Sequence, residues 1–440
     1  MPKKAKFFLL NLGCAKNLVE SEHLSGMLIH GGMEFTETPE QAKWLLVNTC
    51  GFLTSAIEEN IDHILQLAAN KTAQQKLVVA GCLVGRFGKK LQASMPEVDI
   101  FISPGNAHEL LSILHNPPAS GLAMAPAQTV FGYETPRAIS TGPGWGYLRL
   151  SDGCNHKCHF CAIPHIRGKL RSRTVADIVN EAKAMGDAGI KEINLIAQDV
   201  SSYGLDLGMR HGLLNLLKEL HKIENIEWIR MLYLYPDILQ PEFLDLLAGS
   251  DKILPYFDIP LQHISNKVLQ AMGRKQNKQA IIESLHLLRN KLPNTVVRST
   301  MLVGHPREDE ESFIELIEFI EEFKFDHLGC FAFEPQIGTK SARMPQIPSK
   351  IGKQRQKKVM AIQKKISRQK ARQLLGNEED MLFLGLHPES DLLGAGRLWR
   401  QAPEVDGEAI VVDGQATPGN IVRVRILKAH DYDYEVEIIN

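Results

Sequence analysis

The chain has 440 residues, is 44% hydrophobic and 23% charged, and carries a net charge of −1. That composition fits a soluble globular protein of two to four domains. It excludes a helical membrane protein, because no apolar run approaches the ~20 residues needed to cross a bilayer. The opening Met1-Pro2-Lys3-Lys4-Ala5-Lys6 leads into only four apolar residues before Asn11, which reads as a first strand and not a signal peptide. The expected location is therefore cytoplasmic, where clustered cysteines more often hold metal than form disulfides. Six of the seven cysteines fall into two triplets.

Taken in chain order, segments 7–12, 44–48, 77–80 and 99–102 are short apolar runs separated by helical patterns. This is the signature of βαβ units and an open parallel α/β sheet. Cys14, Cys50 and Cys82 each sit just past the end of one of these strands. The carboxyl ends of the strands in such a sheet line one crevice, so three thiols far apart in sequence should converge there. The alternative is three unrelated buried thiols.

Pro117, Pro118, Pro126, Pro136 and Pro143 mark a linker, placed at 121–144 after a first domain of 1–120. A second βα series follows over 145–372, with strands expected at 147–150, 192–197, 228–233, 256–259, 296–303 and 328–333. Six strands are too few for a closed eight-fold barrel, so a partial (β/α)6 barrel is expected, with its chemistry in loops after the strands. Directly after the first of these strands comes Cys154-x-x-x-Cys158-x-x-Cys161. Three thiolates this close can wrap one face of a cubane iron–sulfur cluster and leave its fourth iron open. Zinc remains the alternative, with His156 or His159 as fourth ligand.

Segment 350–372 holds ten Lys or Arg and no acidic residue. Its apolar residues keep roughly helical spacing, giving a basic helix that is either solvated or a docking surface. From 373 to 440 short alternating runs (409–412, 421–426, 434–438) between Gly, Pro and Asp turns suggest a small antiparallel β-barrel. Residues 375–440 carry thirteen Asp or Glu against five Lys or Arg, a net of −8, which leaves about +7 for the rest of the chain.

An open iron suits S-adenosylmethionine, whose cleavage yields a radical able to take hydrogen from unactivated carbon. The Cys154 loop, with aromatic Phe160 before its last Cys, resembles the signature of the radical SAM superfamily. Three strand-end cysteines, that loop and a small terminal barrel together resemble the methylthiotransferase family over nearly the whole chain. Local segments resemble its RimO-type branch, whose members modify an aspartate of ribosomal protein uS12. The segments that carry this likeness include Gly13-Cys14-Ala15-Lys16-Asn17, Asn48-Thr49-Cys50-Gly51-Phe52, Ser151-Asp152-Gly153-Cys154-Asn155-His156 and Ala402-Pro403-Glu404-Val405-Asp406-Gly407. The resemblance implies two [4Fe-4S] clusters, one on Cys14, Cys50 and Cys82, the other on Cys154, Cys158 and Cys161. It also implies S-adenosylmethionine as methyl and radical source, methylthiolation of an aspartate β-carbon, a TRAM domain, an electron donor and a sulfur source. Expected partners are uS12 or the small ribosomal subunit, and no membrane. Because the terminal barrel is acidic and RNA needs a basic face, direct RNA binding is not expected to dominate. The alternatives are a tRNA methylthiotransferase acting on adenosine, and a non-catalytic iron–sulfur module.

Phe160 and Gln198, with Asp199, are expected beside S-adenosylmethionine, while no catalytic residue is singled out. Arg167, Arg171 and Arg173 are read either as carboxylate binders or as solvated helix-entry residues. Tyr233, Tyr235 and His263 are candidate pocket walls, Cys330 a buried thiol, and His156 and His159 exposed loop residues. Two departures from the family stand out: Arg307 in place of a common glycine, and Gln336-Ile337 in place of an acidic pair.

Overall fold

A computed structural model describes residues 4–439. The first sheet has six parallel strands, in the spatial order Glu34–Phe35, Lys6–Leu12, Trp44–Thr49, Lys76–Gly81, Ile100–Ile102, Leu122–Ala123. Its central strands are buried almost throughout, as expected for a sheet covered on both faces. Two edge strands were not foreseen: each has only two residues, too short for a hydrophobic pattern to mark.

The second sheet is also parallel and six-stranded, running in order from Trp145–Arg149 at one edge to His327–Ala332 at the other. Helices cover its outer face, where Leu148, Ile193, Leu195, Ile229 and Val297 join a continuous core. The opposite face carries Trp145, Tyr147, Trp228 and Tyr256. These pack on Ala15 and Val19 from the first domain and on Leu382 and Ala402 from the last. Neighbouring modules thus take the place of the missing barrel strands. The terminal segment closes into a five-stranded barrel. Its pairing is antiparallel except between Ala409–Asp413 and Tyr434–Ile438, which run the same way where the barrel closes.

Helix Ala15–His30 buries Asn17, Glu20, Glu22 and His23, unusual for an outer helix. Each charge has a reason. Glu22 takes Arg137 at 2.6 Å, and Arg137 reaches on to Glu181 at 2.5 Å in the next domain. Gly26 lies against the Pro136 carbonyl with no room for a Cβ. The proline-rich segment is therefore a strap that clamps the two sheets together. No helix among the described residues is long and apolar enough to cross a membrane.

Candidate cysteine sites and the crevice between them

Cys14 caps helix Ala15–His30, Cys50 follows strand Trp44–Thr49, and Cys82 opens the helix after strand Lys76–Gly81. Asparagines lock these strand ends together. Asn17 donates to the Thr49 carbonyl (2.9 Å), and Asn48 donates to the Asn17 carbonyl (3.0 Å) and to Ser21 (2.9 Å). The Asn17 side-chain oxygen then faces two thiols, Cys14 Sγ at 3.6 Å and Cys82 Sγ at 3.9 Å. Gly51 is required here, since a Cβ would stand 2.7 Å from the Cys82 carbonyl oxygen and push Cys50 away from its partner.

Electrostatics ties the three thiols into one site. Burial, with the charge of Cys14 beside it, raises the Cys50 thiol. Burial pushes Cys82 up to about 12, although Arg167 pulls it down. At Cys14 burial would also raise the thiol, but the Lys16 ammonium, the backbone N–H groups of Asn17 and Lys16, and Arg167 outweigh it and leave it below the ordinary value. All six are free thiols.

The second trio lies on an irregular loop pinned from both sides. Cys154 N–H donates to the Gly168 carbonyl (3.1 Å), and His159 N–H to the Met272 carbonyl (2.8 Å). Burial, with the neighbouring thiols adding to it, raises Cys154 to about 11 and Cys161 to about 12. Tyr235 OH sits 3.2 Å from Cys158 Sγ. The histidines are not exposed loop residues. His156 Nε2 meets Asp199 Oδ2 at 2.6 Å and its ring stacks on Tyr235, centroids 3.9 Å apart. His159 Nδ1 is held by the Ala271 carbonyl at 2.9 Å. Later strand-end loops fold back over the cysteine loop, which spacing within the loop does not reveal.

Gln198 donates to Asp152 Oδ1 (2.7 Å), while its own Oε1 is buried without a partner. Phe160 is half-buried beside Cys161. Asp199 accepts from Ser201 N–H and holds His156, so it shapes the turn.

Arg167 joins the two halves. It is buried, with Nε 3.2 Å from Cys82 Sγ, one terminal nitrogen 2.6 Å from Glu20 and the other 3.4 Å from Asp152. Arg173 is likewise consumed by Asp177 and Glu181, and Arg171 leans toward Asp152. None of the three is solvated at a helix entry. His263 is fully buried and accepts from Ser265 N–H, and Cys330 is buried in its strand. Gln336 takes Arg86 at 2.9 Å. Arg307 adopts φ +80°, the left-handed conformation that glycine favours.

Reading the sequence residue by residue missed Lys16, Asn17 and Arg274. The first two stand within the Cys14 motif, where their proximity was the available signal. Arg274, 4.1 Å from the Tyr235 ring centroid, had none.

The donor sets suit iron–sulfur clusters: three thiols each, with no competing carboxylate among them. Thiolates hold such a cluster through separate irons at its corners. The unpartnered Gln198 oxygen beside the second cage fits an amine-bearing ligand there.

Comparison with known proteins bears on this geometry. The chain matches the model of the radical SAM superfamily over residues 148–320, an uncharacterized protein family (UPF0004) over 6–103, and the TRAM domain over 375–439. It is 43% identical to ribosomal protein uS12 methylthiotransferase RimO of Syntrophobacter fumaroxidans, covering 98% of each chain. To the protein of the same name from Aquifex aeolicus it is 40% identical, over 97% of this chain and 96% of the other. Among solved structures, the fold is similar to TsrM of Kitasatospora setae, a radical S-adenosylmethionine methyltransferase. The TM-score is 0.58 at 14% identity, over 77% of this chain and 74% of that one.

Proposed function

The chain belongs to the RimO family of ribosomal protein uS12 methylthiotransferases, radical SAM enzymes, and from that premise we propose that it methylthiolates the β-carbon of an aspartate in uS12, using two [4Fe-4S] clusters. In this reading the chain divides into a cluster-bearing domain (1–120), a linker (121–144), a radical SAM domain (145–372) and a TRAM domain (373–440). When bound, the cluster on Cys154, Cys158 and Cys161 supplies the electron that converts S-adenosylmethionine into a hydrogen-abstracting radical, and the cluster on Cys14, Cys50 and Cys82 holds the sulfur to be transferred.

The chain's own residues do the positioning. Gln198, fixed by Asp152, offers its free oxygen to the S-adenosylmethionine ammonium. Tyr235 hydrogen-bonds Cys158 and orients the cysteine loop. The observation that carries the reading is Arg167, which touches Cys82 on one side and Asp152 on the other. One buried residue spanning the two trios supports a reading in which both open on a single crevice, as a reaction that joins a radical to a sulfur requires.

Charge favours protein over RNA as substrate. Each of the five cations in the terminal barrel already has an acidic partner: Arg397 with Glu192, Arg400 with Glu379, Arg423 with Asp380, Arg425 with Glu378 and Glu437, Lys428 with Glu435. No free basic stripe remains there to displace counterions from phosphates. An electron donor and a sulfur source complete the system. The test is the mass of uS12 from cells with and without the gene. It is expected to differ by one methylthio group in place of hydrogen. An unchanged uS12 with altered tRNA nucleosides overturns the reading in favour of tRNA.

A further inference from the structure

We propose that Lys16, held over the Tyr233 ring where the two cysteine trios face each other, is the subsite that grips the carboxylate of the substrate aspartate. The inference rests on the methylthiotransferase reading above and deepens it.

Position comes first. Lys16 follows Cys14 by two residues, and its Nζ stands 3.5 Å from the Tyr233 ring centroid, across the domain boundary. Two residues further along that strand end, Tyr235 touches Cys158. Two residues of backbone reach at most ~7 Å, so one short stretch of chain carries both the ring under Lys16 and the hydroxyl on Cys158. In aspartate the carboxylate is bonded directly to the β-carbon, so gripping the one fixes the other.

Charge comes second. Lys16 has no ion pair within 4.0 Å among the described residues, whereas the other cations of the crevice are taken. Arg167 is paired with Glu20 and Asp152, and Arg298 lies near Asp258 and Asp406. Arg86 caps the Gly51 and Phe52 carbonyls and Gln336, and Arg274 donates to the Pro260 carbonyl. Cys14 and Asp258 favour its charge from beyond ion-pair distance, so the ammonium stays charged with no carboxylate in contact and can take one that arrives from outside.

Backbone strain comes third. Tyr233 has φ +60°, which a bulky side chain avoids. Its N–H donates to Asp258 Oδ2 (3.0 Å) and its carbonyl accepts from Val200 N–H (3.0 Å), which hold it there. Strain of this kind, kept by surrounding structure, concentrates at ligand clamps. What it presents is the ring under Lys16.

The experiment uses full-length reconstituted protein, wild type, Lys16→Gln and Lys16→Arg, with two probes: uS12, and uS12 whose modified aspartate is replaced by Asn. Wild type should bind the Asp form about tenfold or more tighter than the Asn form. Lys16→Gln should bind both forms alike, at the wild-type affinity for the Asn form, with iron content and cluster absorption unchanged. Lys16→Arg should recover part of the preference. An Asp preference undiminished in Lys16→Gln overturns the assignment. So does loss of iron in that variant, which would make Lys16 a counter-charge for the Cys14 site. Wild type that never methylthiolates uS12 defeats the functional reading itself, an outcome distinct from either.

Discussion

The two cysteine trios are chemically alike and built in opposite ways. Cys154, Cys158 and Cys161 share one eight-residue loop, so local chain geometry brings them together. Cys14, Cys50 and Cys82 stand at three strand ends and meet only because the parallel sheet, the Asn17–Asn48 lock and Gly51 hold them. The difference teaches that one trio is a property of sequence and the other of the whole fold. Damage at a distance should therefore strike the second kind first. Strain divides in the same way: Tyr233, Gln262 and Arg307, residues with positive φ other than glycine, lie at strand ends of the second sheet.

The sharpest separation comes from cysteine replacement. Cys158→Ala should abolish 5′-deoxyadenosine formation, whereas Cys50→Ala should spare it and stop sulfur transfer. Iron should fall from about eight to about four per chain in either variant. Methylthiolation by the Cys50→Ala enzyme would break the assignment of the first trio. Next in size, Arg167→Ala leaves Glu20 buried without its cation and Asp152 with only the more distant Arg171, and should cost about 3–5 kcal/mol in urea unfolding.

A smaller effect follows from His23, buried in the helix that begins at Cys14. Burial, then Arg137 and Arg149, lower its pKa from 6.5 to about 3. Its folded value lies below its unfolded one, so the neutral form stabilises the fold above pH 6.5. That stability drains as pH falls toward 3. Between pH 6.5 and 5 the loss is about 2 kcal/mol, and His23→Phe should remove it from the pH dependence of the urea midpoint. The smallest effect is Arg307→Gly. Relief of the left-handed backbone should raise stability by up to about 1 kcal/mol, read as a small rise in Tm.

Much of this was legible from the sequence because it is local. The strands of both sheets announce themselves as short apolar runs, and the Cys154 spacing states its own chemistry. Arg307 was visible as a departure, and its φ explains why glycine is common there. What stayed hidden is pairwise and distant. His156 looks like a loop residue until Tyr235 and Asp199 arrive from other strand ends. Arg167 looks solvated until Glu20 meets it from another domain. Strands of two residues carry no periodicity, so Glu34–Phe35 and Leu122–Ala123 could not be read.

The terminal barrel is more than an appendage. Arg397 reaches Glu192 (2.5 Å), Arg230 shares that carboxylate and donates to the Trp399 carbonyl (2.8 Å), and Asp406 hydrogen-bonds Tyr256. Cutting the chain before this module would uncover the aromatic face of Trp145, Trp228 and Tyr256 and leave Glu192 with one of its two cations, Arg230. The truncated protein should precipitate, because the small barrel is the stopper that lets its larger neighbour stay in water.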